Sequence, residues 1–286
     1  MSLRAAVLGH PISHSKSPAL HLAAYAKLGV EIGYTAIDVT EELLPALMRQ
    51  VRGQAGWCGL SVTMPLKTAM LRQVDQVRGV AQTLGVVNTV SFEAHAGGFR
   101  TVGSNTDVAG IVNALRYAGA GATPAGVVLG GGGTAAAAVA ALRDLGAATV
   151  TVIVRDPART AEVRAAADSL GVALDIRDMA GAASVLAAAD VVISTLPPRA
   201  ADGLAAQVAA LKTATPGVLL DVAYDPWPSL LASVWETGGG AVVPGLEMLL
   251  YQAVEQVRLF TGRGADVNGA VIDVMCDAVG LARRAF

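Results

Sequence analysis

A chain of 286 residues is long enough for one or two domains with sizeable cores, and its formal net charge of −2, without a Lys/Arg cluster, gives no surface for a polyanion, so nucleic acid is not an expected partner. A hydrophobic fraction of 53% and a mean hydropathy of +0.51 raise the question of a membrane span, but the one long uncharged run, residues 118–142, is interrupted by Pro124 and a glycine tetrad and is otherwise mostly alanine. No membrane is expected, and with no signal-like start the expected location is the cytoplasm.

Arg4–Leu8 reads as a strand and leads into "GHPISHSKSPALH", Gly9 to His21. Ser17-Pro18 is a good helix start, with serine capping and proline at the first helical position, and the predicted helix runs over Ser17–Leu28. Hydroxyls and free backbone N–H groups gathered at the positive end of a helix suit a carboxylate or a phosphate. His10 and His14 have ligand-like spacing, but Pro11 lies between them and no Glu or Cys completes a set, so no metal is expected. Tyr34–Val39 and Gly59–Thr63 read as extended, Glu41–Val51 as helical, the stretch after Pro65 as helical, and "GVVNTVSF" as extended again. This rhythm implies parallel βαβ units. "GSNTDVAGIVNALRYAG" is a polar-capped helix that links the first domain to the rest of the chain.

A second βαβ series starts at Gly126 with "GVVLGGGGTAAAAVAALRDLG", followed by the strands of "TVTVIVRDPARTAEV", "DVVISTLPP" and "GVLLDVAYDP". Gly130, Gly132 and Ala135 keep the Gly-x-Gly-x-x-Gly/Ala spacing between a strand and a helix, which permits a tight turn, close approach of a pyrophosphate and close helix–strand packing. The next strand ends at Arg155, then Asp156 and Arg159. Guanidinium groups there favour a 2′-phosphate and so NADP, while Asp156 keeps NAD as the alternative; a solvated charged turn is the plain reading of the same residues. Past Val243 two helices, Leu246–Thr261 and Val267–Arg284, close the chain. Cys58 and Cys276 have no partner motif and are expected to be reduced and buried. The fold class is therefore α/β with two α/β domains: residues 1–105, a Rossmann-like domain over 106–242, and 243–286 as helices packing back on the first domain.

Taken together, the opening motif, "SVTMPLK", "GVVNTV", "SNTDVAG", "GGGGTA", "DVAYDPWPSLL" and "GLEMLLYQA" resemble, in order, the signatures of the shikimate dehydrogenase family. The resemblance covers nearly the whole chain. It implies the reversible NADP-linked reduction of 3-dehydroshikimate to shikimate, in the route to chorismate and the aromatic amino acids, by a monomer or homodimer. By resemblance, Lys67 and Asp107 are the catalytic pair, and Ser15, Ser17, Thr63, Asn88, Tyr224 and Gln252 bind the substrate. The cofactor falls to Gly130, Gly132, Gly133, Thr134, Ala135, Arg155, Arg159, Thr195, Gly245 and Met248. Leu22 and Glu247 depart from the residues common in the family. The readings that compete are an NAD-dependent quinate/shikimate dehydrogenase, disfavoured by Ser17, and a non-catalytic NADP-binding sensor, disfavoured by retention of a proton-transfer pair.

Overall fold

Strands rich in Val, Ile and Leu alternate with helices from the start of the computed structural model, which describes residues 3–284 and, for Arg159, the backbone alone. In chain order these are β1 (Leu3–Gly9), α1 (Ser17–Leu28), β2 (Ile32–Asp38), α2 (Leu44–Arg52), β3 (Trp57–Val62), β4 (Gln76–Val77), α3 (Val80–Leu84), β5 (Thr89–His95) and β6 (Gly98–Ser104). They form a six-stranded sheet ordered β2-β1-β3-β5-β6-β4. Then come α4 (Asp107–Tyr117), β7 (Gly126–Leu129), α5 (Gly133–Asp144), β8 (Thr149–Ile153), α6 (Ala161–Leu170), β9 (Ala173–Arg177), α7 (Ala182–Ala187), β10 (Val191–Ser194), α8 (Asp202–Leu211), β11 (Val218–Asp221), α9 (Leu230–Thr237) and β12 (Ala241–Pro244). These strands form a second, wholly parallel sheet of six in the order β12-β11-β10-β7-β8-β9. α10 (Gly245–Thr261) and α11 (Gly269–Val279) end the described elements.

The chain divides into two compact units. One is built by the chain up to Thr106 together with the chain from Gln252 onward; the other is Asp107–Tyr251, so α10 begins in the second and ends in the first. The first has a core of Leu8, Leu44, Met48, Leu60, Met70 and Val90 among others, and the second one of Leu129, Ile153, Leu186, Leu219 and Trp235.

Several expectations need correction. The first sheet is mixed: β1 is parallel to β2 and β3, but β5 is antiparallel to both β3 and β6. The β5–β6 hairpin turns on Ala96 and Gly97, both with positive φ (28° and 81°), as a two-residue hairpin loop requires. α2 starts at Leu44, not Glu41, because Pro45 is placed in its first turn. After Pro65 there is a short 3-10 turn, Ala69–Arg72, in place of a full helix, and β5 starts only at Thr89. α11 stops at Val279 because Gly280 adopts a left-handed φ of 76° and closes it. Cys276 is buried as expected, whereas Cys58 is only half-buried; neither is in a disulfide. Among the described residues, no helix is long and apolar enough to cross a membrane.

Candidate active site

In the first unit the residues singled out in the sequence collect at one edge of the sheet. β1 and β3 are parallel, so the loops after Gly9 and Val62 leave on the same side, and backbone bonds tie them: Thr63 N–H to Leu8 C=O at 2.9 Å and His10 N–H to Met64 C=O at 3.1 Å. Gly9 must be small there, since a Cβ would run into the Thr63 methyl. β5 runs against β3 and begins at this edge. Just before it, the Asn88 carbonyl accepts Val62 N–H at 2.7 Å and Val87 N–H reaches the Lys67 carbonyl at 3.0 Å. Thr63, Lys67 and Asn88 therefore stand on adjoining segments, with Thr63 and Lys67 half-buried and Asn88 1% exposed.

The serine loop is anchored from the end of β2. Asp38 pairs with His10 Nδ1 at 2.6 Å and accepts Ile12 N–H at 3.3 Å, and the His10 hydrogen bond holds the Asp38 carboxyl below the usual carboxylate range. Ser17 does not cap α1 as expected. Lys16 occupies the cap position without a side-chain bond, Ser17 is the first helical residue, and Ser15 Oγ accepts its N–H at 3.3 Å. Ser17 is buried and hydrogen-bonds the Tyr34 hydroxyl.

Asn88 is not a turn residue on a solvated surface. Its Oδ1 accepts Thr106 N–H at 2.7 Å, and its Nδ2 donates to Thr106 Oγ1 at 3.0 Å and to Gln252 Oε1 at 3.2 Å. Asp107 follows directly, fully buried in the first turn of α4, where free N–H groups favour a carboxylate. Lys67 belongs to the first unit and Asp107 to the second.

Sequence reasoning missed the buried polar residues beneath this edge: His21, Ser61, Thr89, Thr106 and Gln256. The signal was spacing, since His21 lies four residues after Ser17 and Gln256 four after Gln252, on the same helix faces. His21 stacks on Tyr34, centroids 4.1 Å apart, and its complete burial pushes its pKa down to about 3.

In the second unit the strand order reverses between β7 and β10, the place where parallel sheets open a crevice for a nucleotide. Gly130 follows β7 with φ +116°, and a Cβ there would meet Thr195 Oγ1, which itself donates to the Leu129 carbonyl at 2.8 Å. Gly132 occupies the cap of α5, Gly133 and Thr134 open the helix, and Ala135 is fully buried, so the helix N-terminus faces the turn without a side chain at Gly130. Gly130–Gly132, Val154, Arg155, Asp156, Glu162 and Leu196 are among the residues lining a cavity of about 680 Å³. These residues fit a dinucleotide: backbone N–H groups for a pyrophosphate and an exposed guanidinium for a phosphate on the ribose. Asp156 spends Oδ1 on Ala158 N–H at 3.0 Å, capping the turn Pro157–Arg159; the Arg159 side chain lies outside the described residues. Tyr224 is half-buried after β11, and Met248 and Glu247 are buried in the first turn of α10. Gly245 packs so closely that a Cβ would strike the Val222 carbonyl. Leu22 is exposed. Among the described residues no cluster of potential metal ligands occurs.

Residues 7–90 match a family model described as the shikimate dehydrogenase substrate binding domain, and residues 245–269 one described as the shikimate 5′-dehydrogenase C-terminal domain. The chain is 36% identical to the NADP-linked shikimate dehydrogenase of Thermus thermophilus over 93% of its own length and 95% of the relative's. In structure it is similar to Mycobacterium tuberculosis shikimate dehydrogenase, with 40% identity, a TM-score of 0.83 and coverage of 97% and 99%. It is also similar to the Thermus thermophilus enzyme in complex with NADP(H) and shikimate, with 33% identity, a TM-score of 0.77 and coverage of 96% and 99%.

Proposed function

Because the chain belongs to the shikimate dehydrogenase family, we propose that it reduces 3-dehydroshikimate to shikimate reversibly with NADP, the first unit taking the substrate and the second the nucleotide. One observation carries this reading: Asn88 and Gln252, 164 positions apart, meet in a hydrogen bond of 3.2 Å at the sheet edge that also bears Thr63 and Lys67. A polyhydroxy acid needs such a set of polar groups held in place before it arrives.

Ser15 and Ser17 take the substrate carboxylate, with Tyr224 in support. Thr63, Asn88 and Gln252 take ring hydroxyls. Reduction of a ketone requires a proton at the oxygen as hydride reaches the carbon, and Lys67 Nζ provides it; in the oxidative direction the neutral amine takes it back. Asp107, at the start of α4, accepts a hydrogen bond from a substrate hydroxyl and is the second member of the catalytic pair. When bound, the reduced nicotinamide supplies the hydride. Gly130, Gly132, Gly133, Thr134 and Ala135 cradle the pyrophosphate, Arg155 and Arg159 take the 2′-phosphate, and Thr195, Gly245 and Met248 border the nicotinamide. We place the enzyme in the cytoplasm as a monomer or homodimer. Steady-state rates with shikimate and quinate, each with NADP and NAD, test the reading. Shikimate with NADP is expected to give the highest kcat/KM, and a higher value for quinate with NAD would overturn both assignments.

A further inference from the structure

Gln256 lies one helical turn beyond Gln252 on α10 and is 2% exposed. A primary amide has two N–H donors and two acceptor sites, and here all four are met. Nε2 faces the Asn88 carbonyl at 3.4 Å and Thr89 Oγ1 at 3.1 Å; Oε1 faces Ser61 Oγ at 2.7 Å and His21 Nε2 at 3.2 Å. One neighbour decides which end is which. The Asn88 carbonyl can only accept, so the end facing it must be the NH₂ group.

The proton directions of the neighbours are then set. Thr89 Oγ1 receives a proton from Gln256 and gives its own to Asn88 Oδ1 at 2.8 Å. Oδ1 also takes the Thr106 backbone N–H at 2.7 Å, an obligatory donor that favours the same orientation. The Asn88 NH₂ group is thereby turned to Gln252 Oε1, which leaves Gln252 its own NH₂ group as the other polar end. On the far side Oε1 of Gln256 must be given protons. His21 therefore carries its hydrogen on Nε2 and accepts from the Tyr25 hydroxyl at Nδ1, 3.1 Å away, while Ser61 receives the Tyr34 proton at 2.7 Å.

We propose that Gln256 is a positioning residue for the substrate: through Thr89 it holds the Asn88 amide, whose NH₂ group fixes Gln252 Oε1, so that Gln252 meets a substrate oxygen as a hydrogen-bond donor. The proposal rests on the assignment of Gln252 to the substrate. It also sets a chemical preference, for ring positions bearing an oxygen lone pair over positions bearing an ammonium, which has only protons to give.

A double-mutant cycle in the full chain tests this. Gln256→Met keeps the side-chain volume and removes all four bonds; Gln256→Glu keeps an acceptor for Ser61 and His21 but turns a second acceptor on the Asn88 carbonyl. With shikimate, kcat/KM is expected to fall about three- to tenfold for Gln256→Met, the size of one neutral hydrogen bond, and further for Gln256→Glu. In an Asn88→Ala background the Gln256→Met effect should shrink to less than about twofold, because the two residues act as a unit. A packing role makes Glu, nearer in shape, the milder change and leaves the effect intact in that background; either result overturns the proposal. If Gln256→Met does not fold, Thr89→Val, nearly isosteric, carries the same cycle. If the wild-type protein does not turn over shikimate, the function assigned above falls. Nuclear magnetic resonance of the Asn88 side-chain NH₂ group in ligand-free protein then decides the positioning role: faster solvent exchange in Gln256→Met supports it, and unchanged exchange overturns it.

Discussion

Arg155 and Asp156 place opposite charges side by side at the lining of the nucleotide cavity, and the two are not equally free. Asp156 is engaged with Ala158 N–H, while the exposed Arg155 has reach for a phosphate. Arg155→Ala is expected to weaken NADP about ten- to hundredfold, the loss of a charge-assisted bond of roughly 1.5–3 kcal/mol, and to leave NAD nearly unchanged. Titration of the variant with each nucleotide checks it, and equal losses would remove Arg155 from that role. Lys67→Ala should lower kcat about 10²–10⁴-fold with shikimate affinity largely kept, since proton exchange is needed in the transition state rather than for binding. A rise in KM at near-normal kcat, in an assay limited by hydride transfer, would make Lys67 a binding residue only. His21 gives a prediction for stability. Its folded pKa of about 3 lies below the ordinary 6.5, so the unfolded chain takes up a proton first as pH falls. His21 thus costs the fold stability between about pH 6.5 and 3, at up to about 1.4 kcal/mol per pH unit. Urea unfolding of His21→Phe should show a less stable protein that has lost this share of the slope.

At the scale of elements, the glycine turn is the most exacting joint. Gly130→Ala meets a disfavoured φ and the Thr195 hydroxyl together, and should cost about 1–3 kcal/mol in urea unfolding while abolishing nucleotide binding. Adding Thr195→Ala should recover only the steric share. This joint was legible in the sequence because strand, glycine spacing and helix are consecutive. α1 was legible over its whole length, since Pro18 and Gly29 mark its two ends. The β5–β6 hairpin was not. Its turn is Ala96-Gly97 in place of Asn-Gly, so the antiparallel pairing lacked its usual marker. The contacts that orient Asn88 were hidden for a different reason. Thr106 and Gln256 lie in other segments, and no local pattern announces a hydrogen bond between residues so far apart. Asp75 shows the same kind of long-range bond: Arg52 from α2 and Thr101 from β6 converge on it and hold its pKa at about 2. The stability that Asp75 contributes is present above about pH 4 and lost as pH falls toward 2. Asp75→Asn should therefore lie below wild type at pH 7 in urea unfolding and approach it as pH falls below 4.

At the scale of the molecule, one unit is made from two separated stretches of chain and the other from a single stretch between them. Among the described residues the high hydropathy goes into two cores and a parallel sheet with apolar strands, and no helix is long and apolar enough to cross a membrane. A chain cut after Tyr251 is expected to keep NADP binding and lose shikimate binding, because Gln252, Gln256 and α11 belong to the first unit; titration of the cut chain with each ligand checks this. The divided unit also sets an order of events on the ribosome. The uninterrupted middle stretch is in hand, able to fold, while the face of α1 that will pack on α11 still waits for the last helices to be made. At about 5–20 residues per second the roughly 240 residues between α1 and α11 take on the order of tens of seconds, during which the face of α1 that packs on α11 lacks its final cover. The newborn chain is thus most exposed to chaperones and to aggregation at its beginning, and it is released from that risk only by its end.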